Sequence, residues 1–339
     1  MRATIHDIAS RAGVSAATVD RVLNGRKGVS AANRQRVMRA AQELRYLPTD
    51  GQAALPVRPA QLEFLIPRAR QVFLSDLAEQ IEEFAATLPV VSRAKVHAVE
   101  DLSPEAFVSA LGRIDTGTQG VGIVAVDHPL TRQAVRDLTD GGVKVVTIAS
   151  DLLTTPRSAY VGLDDRVAGR TAGLVMGHVA GRSGGKVALF VGQQAFQGQR
   201  EREIGFRTII EQEFPTLELL PLFDTRSDTG IARSATERLL AAEPDLAGIY
   251  VMGGGRSGVA EATARVDRRK RPFVILHDLS DTTRRYLSEG SIDLIIDQNV
   301  RLLAEQAVIR LLTAIAAERL FLPEHFIEPR LIFRENIPM

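Results

Sequence analysis

The run Ser15-Ala16-Ala17-Thr18-Val19-Asp20-Arg21 carries residue types suited to the edges of base pairs. An arginine can fork onto guanine O6 and N7, whereas alanines touch thymine methyls or leave room. A second set of polar side chains stands just past apolar runs. Arg68, Arg70, Gln71 and Phe73 follow residues 62–66, Asp127 and His128 follow 121–126, and Ser150 and Asp151 follow 143–149. Asp278 follows 273–276, and Asp297 and Gln298 follow 291–296. Such groups recognise small polar ligands: carboxylates accept from hydroxyls, amides donate and accept, arginine forks onto hydroxyl pairs or carboxylates, and phenylalanine stacks on a ring. The third constellation is Gly253-Gly254-Gly255-Arg256-Ser257-Gly258, a G-x-G-x-x-G after the apolar run 248–252. With Asp278 about twenty residues further on, it has the layout of a dinucleotide-binding turn.

The elements around the first set are short helices. Thr4 is placed to cap a helix from Ile5, with Asp7 in its first turn and Ile8, Ala9 and Ala12 facing inward. Gly13 supplies a turn, Ser15 caps a second helix with Val19, Val22 and Leu23 inside, and Asn24-Gly25 ends it. Ser30 caps a third helix to about Leu44, with Val37, Ala40, Ala41 and Leu44 at helical spacing. This is the layout of a helix-turn-helix, whose second helix enters the major groove. The prolines Pro48, Pro56 and Pro59, with Gly51, mark a linker over 48–60. Beyond it apolar runs (62–66, 121–126, 143–149, 186–191, 248–252, 273–276, 291–296) alternate with amphipathic stretches (74–87, 130–139, 168–180, 204–213, 234–242). That alternation predicts parallel sheets flanked by helices. The expected domains are therefore a headpiece over 1–47, a linker over 48–60 and an α/β body over 61–339.

Composition narrows the function classes. The chain has 339 residues and no cysteine, so disulfides and thiolate metal sites are excluded. No membrane-length apolar run and no secretory leader is present in the sequence, so the expected compartment is the cytoplasm, with no membrane partner. Residues 1–50 hold nine Lys/Arg against four acids, while the whole chain is nearly balanced at +1. A basic head on a slightly acidic body fits a polyanion-binding module joined to a different one. The histidines show no zinc-ligand spacing, and no nucleophile elbow or Walker lysine occurs, so neither metal, cofactor nor catalytic role is expected.

The segment from Thr4 to Leu23, followed by Val29-Ser30 and Tyr46-Leu47-Pro48, resembles the headpiece of the lactose-repressor (LacI/GalR) family of bacterial transcription regulators. Thr147-Ile148-Ala149-Ser150-Asp151 and the stretch from Tyr160 to Gly173 resemble that family's effector domain, itself similar to periplasmic sugar-binding proteins. The resemblance covers essentially the whole chain. It implies an all-α helix-turn-helix headpiece before a two-lobe α/β body, with a ligand between the lobes. It further implies a homodimer on double-stranded operator DNA, released or retained by a sugar, polyol or sugar acid. The DNA-facing set it implies is Thr4, His6, Ser15, Ala16, Ala17, Thr18, Arg21 and Asn24, with Leu55 as a minor-groove wedge. The effector residues it implies are Gln71, Phe73, Arg200, Asp278 and Gln298, with Phe223 a weaker match and Arg200 inside Gln199-Arg200-Glu201-Arg202-Glu203-Ile204-Gly205-Phe206; Ser150 and Asp151, just past their apolar run, complete the expected set. Where sugar binders often place an asparagine, this chain has Gly253-Gly254-Gly255, and Arg68 and Arg70 hint at an acidic or phosphorylated ligand. The alternative is a nicotinamide-nucleotide-binding sensor or oxidoreductase built on Gly253 to Gly258, with His277 beside Asp278 as its best catalytic group.

Overall fold

The computed structural model describes residues 4–23, 29–30, 33, 36–37, 39–41, 55–56, 58–67, 72–99, 102–152, 154–181, 184–316 and 326–338, with the backbone alone at 6 and 23. The chain divides into two compact units, Met1–Ala54 and Leu55–Met339.

In the first unit, helix α1 (Ile5–Ala12) opens with a capping box in which Thr4 and Asp7 satisfy each other's backbone N–H. It ends at Gly13, whose φ of 63° turns the chain in the left-handed region that glycine tolerates. Helix α2 (Ala16–Leu23) follows after the three residues Gly13, Val14 and Ser15, and Ser15 Oγ accepts from Thr18 N at 3.2 Å, as a capping serine does. Residues 33, 36–37 and 39–41 are helical, and Ser30 Oγ accepts from Asn33 N at 3.3 Å. Ile8, Ala9, Ala12, Val19, Val22, Val37, Ala40 and Ala41 form one small core, the set that helical spacing selects.

The second unit is a pair of α/β lobes. The first contains β1 (Ala60–Pro67), α3 (Val72–Ala86), β2 (Val91–Val99), α4 (Pro104–Leu111), β3 (Gly120–Ile123), α5 (Pro129–Asp140), β4 (Lys144–Ile148) and β5 (Ala159–Val161). Its sheet runs β2-β1-β3-β4-β5, all parallel. The second contains α6 (Asp165–Ala180), β6 (Gly185–Val191), α7 (Gln197–Glu213), β7 (Leu217–Leu219), β8 (Phe223–Asp224), α8 (Thr229–Ala242) and β9 (Leu246–Val251). It continues with α9 (Arg256–Thr263), β10 (Phe273–His277), α10 (Asp281–Glu289), β11 (Leu294–Asp297) and β12 (Arg330–Ile332). Its sheet runs β12-β11-β10-β9-β6-β7, with β8 also on β6, and β12 alone pairs antiparallel among the described strands. Helix α11 (Val300–Ala316) follows β11 in sequence yet packs on α3, β3 and β4 of the first lobe. The chain thus passes between lobes after β5, after β11 and again before β12. The first and last passages touch, where Ile327 N donates to Gly162 O at 2.7 Å.

The buried central strands explain the apolar runs: β1, β3, β9 and β10 are covered on both faces, as strands of a parallel sheet must be. Strand β2 and helix α11 fall outside the runs read from the sequence, for opposite reasons. Strand β2 lies at a sheet edge and alternates Ser92, Arg93, Lys95 and His97 with apolar residues. Helix α11 buries Leu303, Ala304, Ala307, Val308, Leu311 and Leu312, so it lacks the sharp polar face that marks a surface helix. Helix α7 begins seven residues before the predicted stretch, its first turn being polar (Gln197, Gln199, Arg200).

Candidate functional site

On α2, Ala17 and Arg21 are exposed and Ala16 and Thr18 half-exposed, while Val19 and Val22 are in the core. A helix buries one stripe and leaves the other free for a partner. The exposed stripe is the one predicted to face DNA. Ser15 and Thr18 are already tied to each other, their hydroxyl oxygens 2.9 Å apart, and Thr4 Oγ1 donates to Asp7 Oδ2 at 2.7 Å. These hydroxyls are therefore engaged in capping their helices. The His6 side chain and Asn24 lie outside the described residues. Leu55, the predicted wedge, belongs to the second unit and is 44% exposed, far more than an apolar side chain held in a core.

In the body, the carboxyl ends of both sheets converge on one cleft, the place where parallel α/β sheets take their ligands. Its wall is built from Phe73 and Leu74 at the start of α3, Val124 after β3, Ala149 and Ser150 after β4, and Phe196, Gly198, Gln199 and Arg202 after β6. Gly253 after β9, Asp278 after β10 and Gln298 after β11 complete it. Ala149 and Asp278 hold φ of 58° and 64°, a left-handed conformation costly for residues with a Cβ. Such backbone turns sharply at the strand end and directs the chain along the cleft wall.

The polar groups of the wall are largely committed. Arg202 is buried; its Nε donates to Asp165 Oδ1 at 2.7 Å and its Nη1 to Met252 O at 2.8 Å. Burial alone would pull the guanidinium down, but Asp165 and Asp278 outweigh it and keep Arg202 protonated. Arg256 pairs with Asp278, whose other oxygen accepts from Gln298 Nε2 at 2.7 Å. Among the described residues Gln298 Oε1 is buried without a hydrogen-bond partner, which normally costs about 1–3 kcal/mol and so asks for an explanation. Beneath the wall, burial pushes the Tyr250 hydroxyl up, and burial with Arg202 and Arg256 pushes the His277 imidazole well down. His277 is therefore neutral, with Nε2 2.7 Å from Tyr250 Oη.

Four of the predicted effector residues, Phe73, Ser150, Asp278 and Gln298, meet in this cleft. Gln71 lies outside the described residues, as do Arg68 and Arg70. Asp151 stands next to Ser150 but turns into its own lobe, accepting a fork from Arg157 at 2.5 Å to each oxygen and bonds from Thr147 Oγ1 and Leu152 N. Phe223 is also displaced: β8 pairs with β6, and the ring stacks on Phe190 at 4.9 Å, with Leu220, Pro221 and Leu239 around it. Arg200 is not in the wall either; its Nη2 bonds Asp127 Oδ2 at 2.9 Å and Gln197 Oε1 at 2.6 Å. The arginine that lines the cleft is Arg202. Helical register was the available signal: Phe206 is buried, and residues four and seven positions earlier, Arg202 and Gln199, share its face.

The glycine motif is spent within the chain. A Cβ on Gly253 would meet the Gln199 amide, on Gly254 the Ser227 side chain at 2.4 Å, on Gly255 Thr225 Oγ1 at 2.7 Å, and on Gly258 the Thr229 carbonyl at 2.1 Å. In a dinucleotide turn the glycines let a pyrophosphate approach the backbone; here protein side chains and α8 fill that space. His277 and Asp278 do not form a catalytic pair, one bonding Tyr250 and the other Arg256 and Gln298. Among the described residues no cluster could hold a metal ion, and no helix is long and apolar enough to cross a membrane.

Comparison with known proteins places these parts. Residues 4–49 match the family described as bacterial regulatory proteins, lacI family, and residues 62–319 match the periplasmic binding protein domain. The HTH-type transcriptional regulator DegA of Bacillus subtilis is 26% identical over 246 residues, 71% of this chain and 70% of that protein. Catabolite control protein A of Staphylococcus xylosus is 24% identical over 253 residues, 72% of each. Among solved structures, an ABC transporter solute-binding protein of Burkholderia graminis in complex with D-arabinose superimposes with a TM-score of 0.75 at 22% identity, covering 82% of this chain and 96% of that one. GanP, a glucose-galactose binding protein of Geobacillus stearothermophilus, gives 0.74 at 21% identity, covering 83% and 100%. These structural likenesses show the fold. Helix-turn-helix and two-lobed cleft together make this chain a member of the lacI family of bacterial DNA-binding regulators, carrying a periplasmic-binding-protein-like effector domain.

Proposed function

We propose that the interlobe cleft binds a neutral sugar or polyol, and that this ligand sets the affinity of a homodimer for a pseudopalindromic operator. The observation that carries the ligand class is Gln298 Oε1, a buried acceptor without a donor among the described residues, in a wall whose described arginine, Arg202, is neutralised by Asp165 and whose Asp278 is itself paired with Arg256. A hydroxyl satisfies that acceptor; a carboxylate or phosphate does not. Phe73, Phe196, Leu74 and Val124 supply the apolar surface on which the carbon face of a ring packs. That the solved relatives were crystallised with D-arabinose and D-fucose supports the same class. The headpiece over 1–47, the linker over 48–60 and the body over 61–339 divide the labour, with Arg21 reading a guanine, Ala16 and Ala17 facing thymine methyls, and Leu55 entering the minor groove. The protein acts as a repressor. Calorimetric titration of the purified protein with neutral sugars, polyols and the matching sugar acids tests the ligand class. Saturable binding of a neutral member and none of its acid supports it; binding of acids alone overturns it.

A further inference from the structure

Position 253 and the Gln199 side chain share one space. A Cβ built on Gly253 would lie 2.3 Å from the Gln199 amide carbon and from Oε1, and 2.5 Å from Nε2. Real Cβ atoms essentially never stand so close, so a side chain at 253 would have to displace the Gln199 amide, and the glycine after β9 leaves that amide, reaching in from α7, its place. The amide's orientation follows from its partners. Gly192 N and Gln193 N both donate to Oε1, at 2.8 and 3.1 Å. Backbone N–H groups can only donate, so the oxygen must face them and the NH₂ must face away. Nε2 has no protein acceptor among the described residues, and Gln199 lines the cleft. Gln298 shows the complementary arrangement: its Nε2 is taken by Asp278 and its Oε1 is left over. The wall thus offers one uncommitted amide donor and one uncommitted amide acceptor. A hydroxyl is the neutral group that both accepts and donates.

We propose that Gln199 is a specificity-determining residue of the cleft, presenting its Nε2 to a ligand hydroxyl through the gap left by Gly253, with Gln298 Oε1 accepting from a hydroxyl of the same ligand. The inference rests on the reading of the cleft as a site for a neutral hydroxylated ligand, and it adds a mechanical relation. Position 253 and position 199 compete for one volume, so a single amide there can be supplied from either element but not from both.

The test is calorimetry on the full-length protein with D-arabinose, D-glucose, D-galactose and D-fucose, continued with whichever binds most tightly. Gln199→Glu keeps the acceptor that Gly192 and Gln193 need and removes the NH₂ donor; it should weaken that sugar about 10-fold, with an unchanged melting temperature. Gln199→Ala should weaken it at least as much. Gly253→Asn added to Gln199→Ala should recover most of the loss, because the asparagine amide grows into the vacated space. Gly253→Asn alone should abolish binding, since two amides then occupy one volume. Unchanged affinity in Gln199→Glu and Gln199→Ala, or a double variant no tighter than Gln199→Ala, would overturn the inference while leaving the ligand class intact. Failure of the wild-type protein to bind any of the four sugars would overturn both.

Discussion

Arg200 Nη2 donates to Asp127 Oδ2 across 2.9 Å, tying α7 of the second lobe to the loop after β3 of the first. Asp127 is held in place by Arg132, which forks onto both its oxygens at 2.6 and 2.7 Å, and its backbone N–H reaches Ala195 O at 2.9 Å. The lobes are therefore joined beside the cleft by one carboxylate between two guanidinium groups.

This junction is expected to bias the lobes and to add little to stability. The Arg200 side chain is 42% exposed, and the buried Asp127 keeps Arg132 as its second cation, so losing this contact costs about 1 kcal/mol or less. Arg200→Ala should leave the unfolding free energy nearly unchanged while enlarging the ligand-free radius of gyration in X-ray scattering. The same radius in variant and wild type would show that the pair does not hold the lobes.

Arg202 is a different case because both partners are buried. Arg202→Leu leaves the Asp165 carboxylate without its cation, and removing one partner of a buried pair costs about 3–5 kcal/mol. Denaturant unfolding should show a loss of that order, largely recovered when Asp165→Asn is added. A loss below about 1 kcal/mol would mean that water reaches the pair.

Gly205 lets α6 and α7 approach closely enough to seat Arg202. A Cβ there would lie 2.2 Å from Arg166 O, and one on Gly169 would lie 2.1 Å from Arg202 O. Gly205→Ala must push the helices apart, a strain of roughly 1–3 kcal/mol, and should weaken ligand binding through Arg202. Unfolding and calorimetry on the same preparation measure both effects; a variant as stable as wild type would contradict the packing argument.

His277 makes stability depend on pH. Its folded pKa is depressed, so below the ordinary histidine value of about 6.5 the unfolded chain binds a proton that the folded chain refuses. The sign is a loss of stability as pH falls through the unfolded value, with a slope approaching about 1.4 kcal/mol per pH unit for one proton. Melting temperatures between pH 7.5 and 5 should fall, and should fall less in His277→Gln. Equal slopes in the two proteins would remove His277 as the cause.

Much of this architecture was legible because it follows local rules. The capping residues Thr4, Ser15 and Ser30 and the turn at Gly13 announced the headpiece, and Ile8, Val19 and Val37 appeared at core spacing. The strand runs were legible for the same reason. Side-chain direction was less so. Asp151 and Arg200 sit in the right segments but point at Arg157 and Asp127, choices made by long-range partners that no local pattern reveals. Gly253 read as a phosphate-approach glycine because sequence alone could not show that Gln199 fills its space. Phe223 was misplaced because β8, only a two-residue strand, carries its ring onto Phe190.

In the function proposed above, one chain joins operator reading to ligand binding. The most direct test is fluorescence anisotropy of an operator fragment selected by the protein, measured with and without the sugar that calorimetry identifies. Coupling of about 1–3 kcal/mol predicts a 5- to 150-fold change in operator affinity, a reciprocal change in sugar affinity when operator is present, and loss of operator binding in Arg21→Ala. Operator affinity identical at zero and saturating sugar would contradict the account.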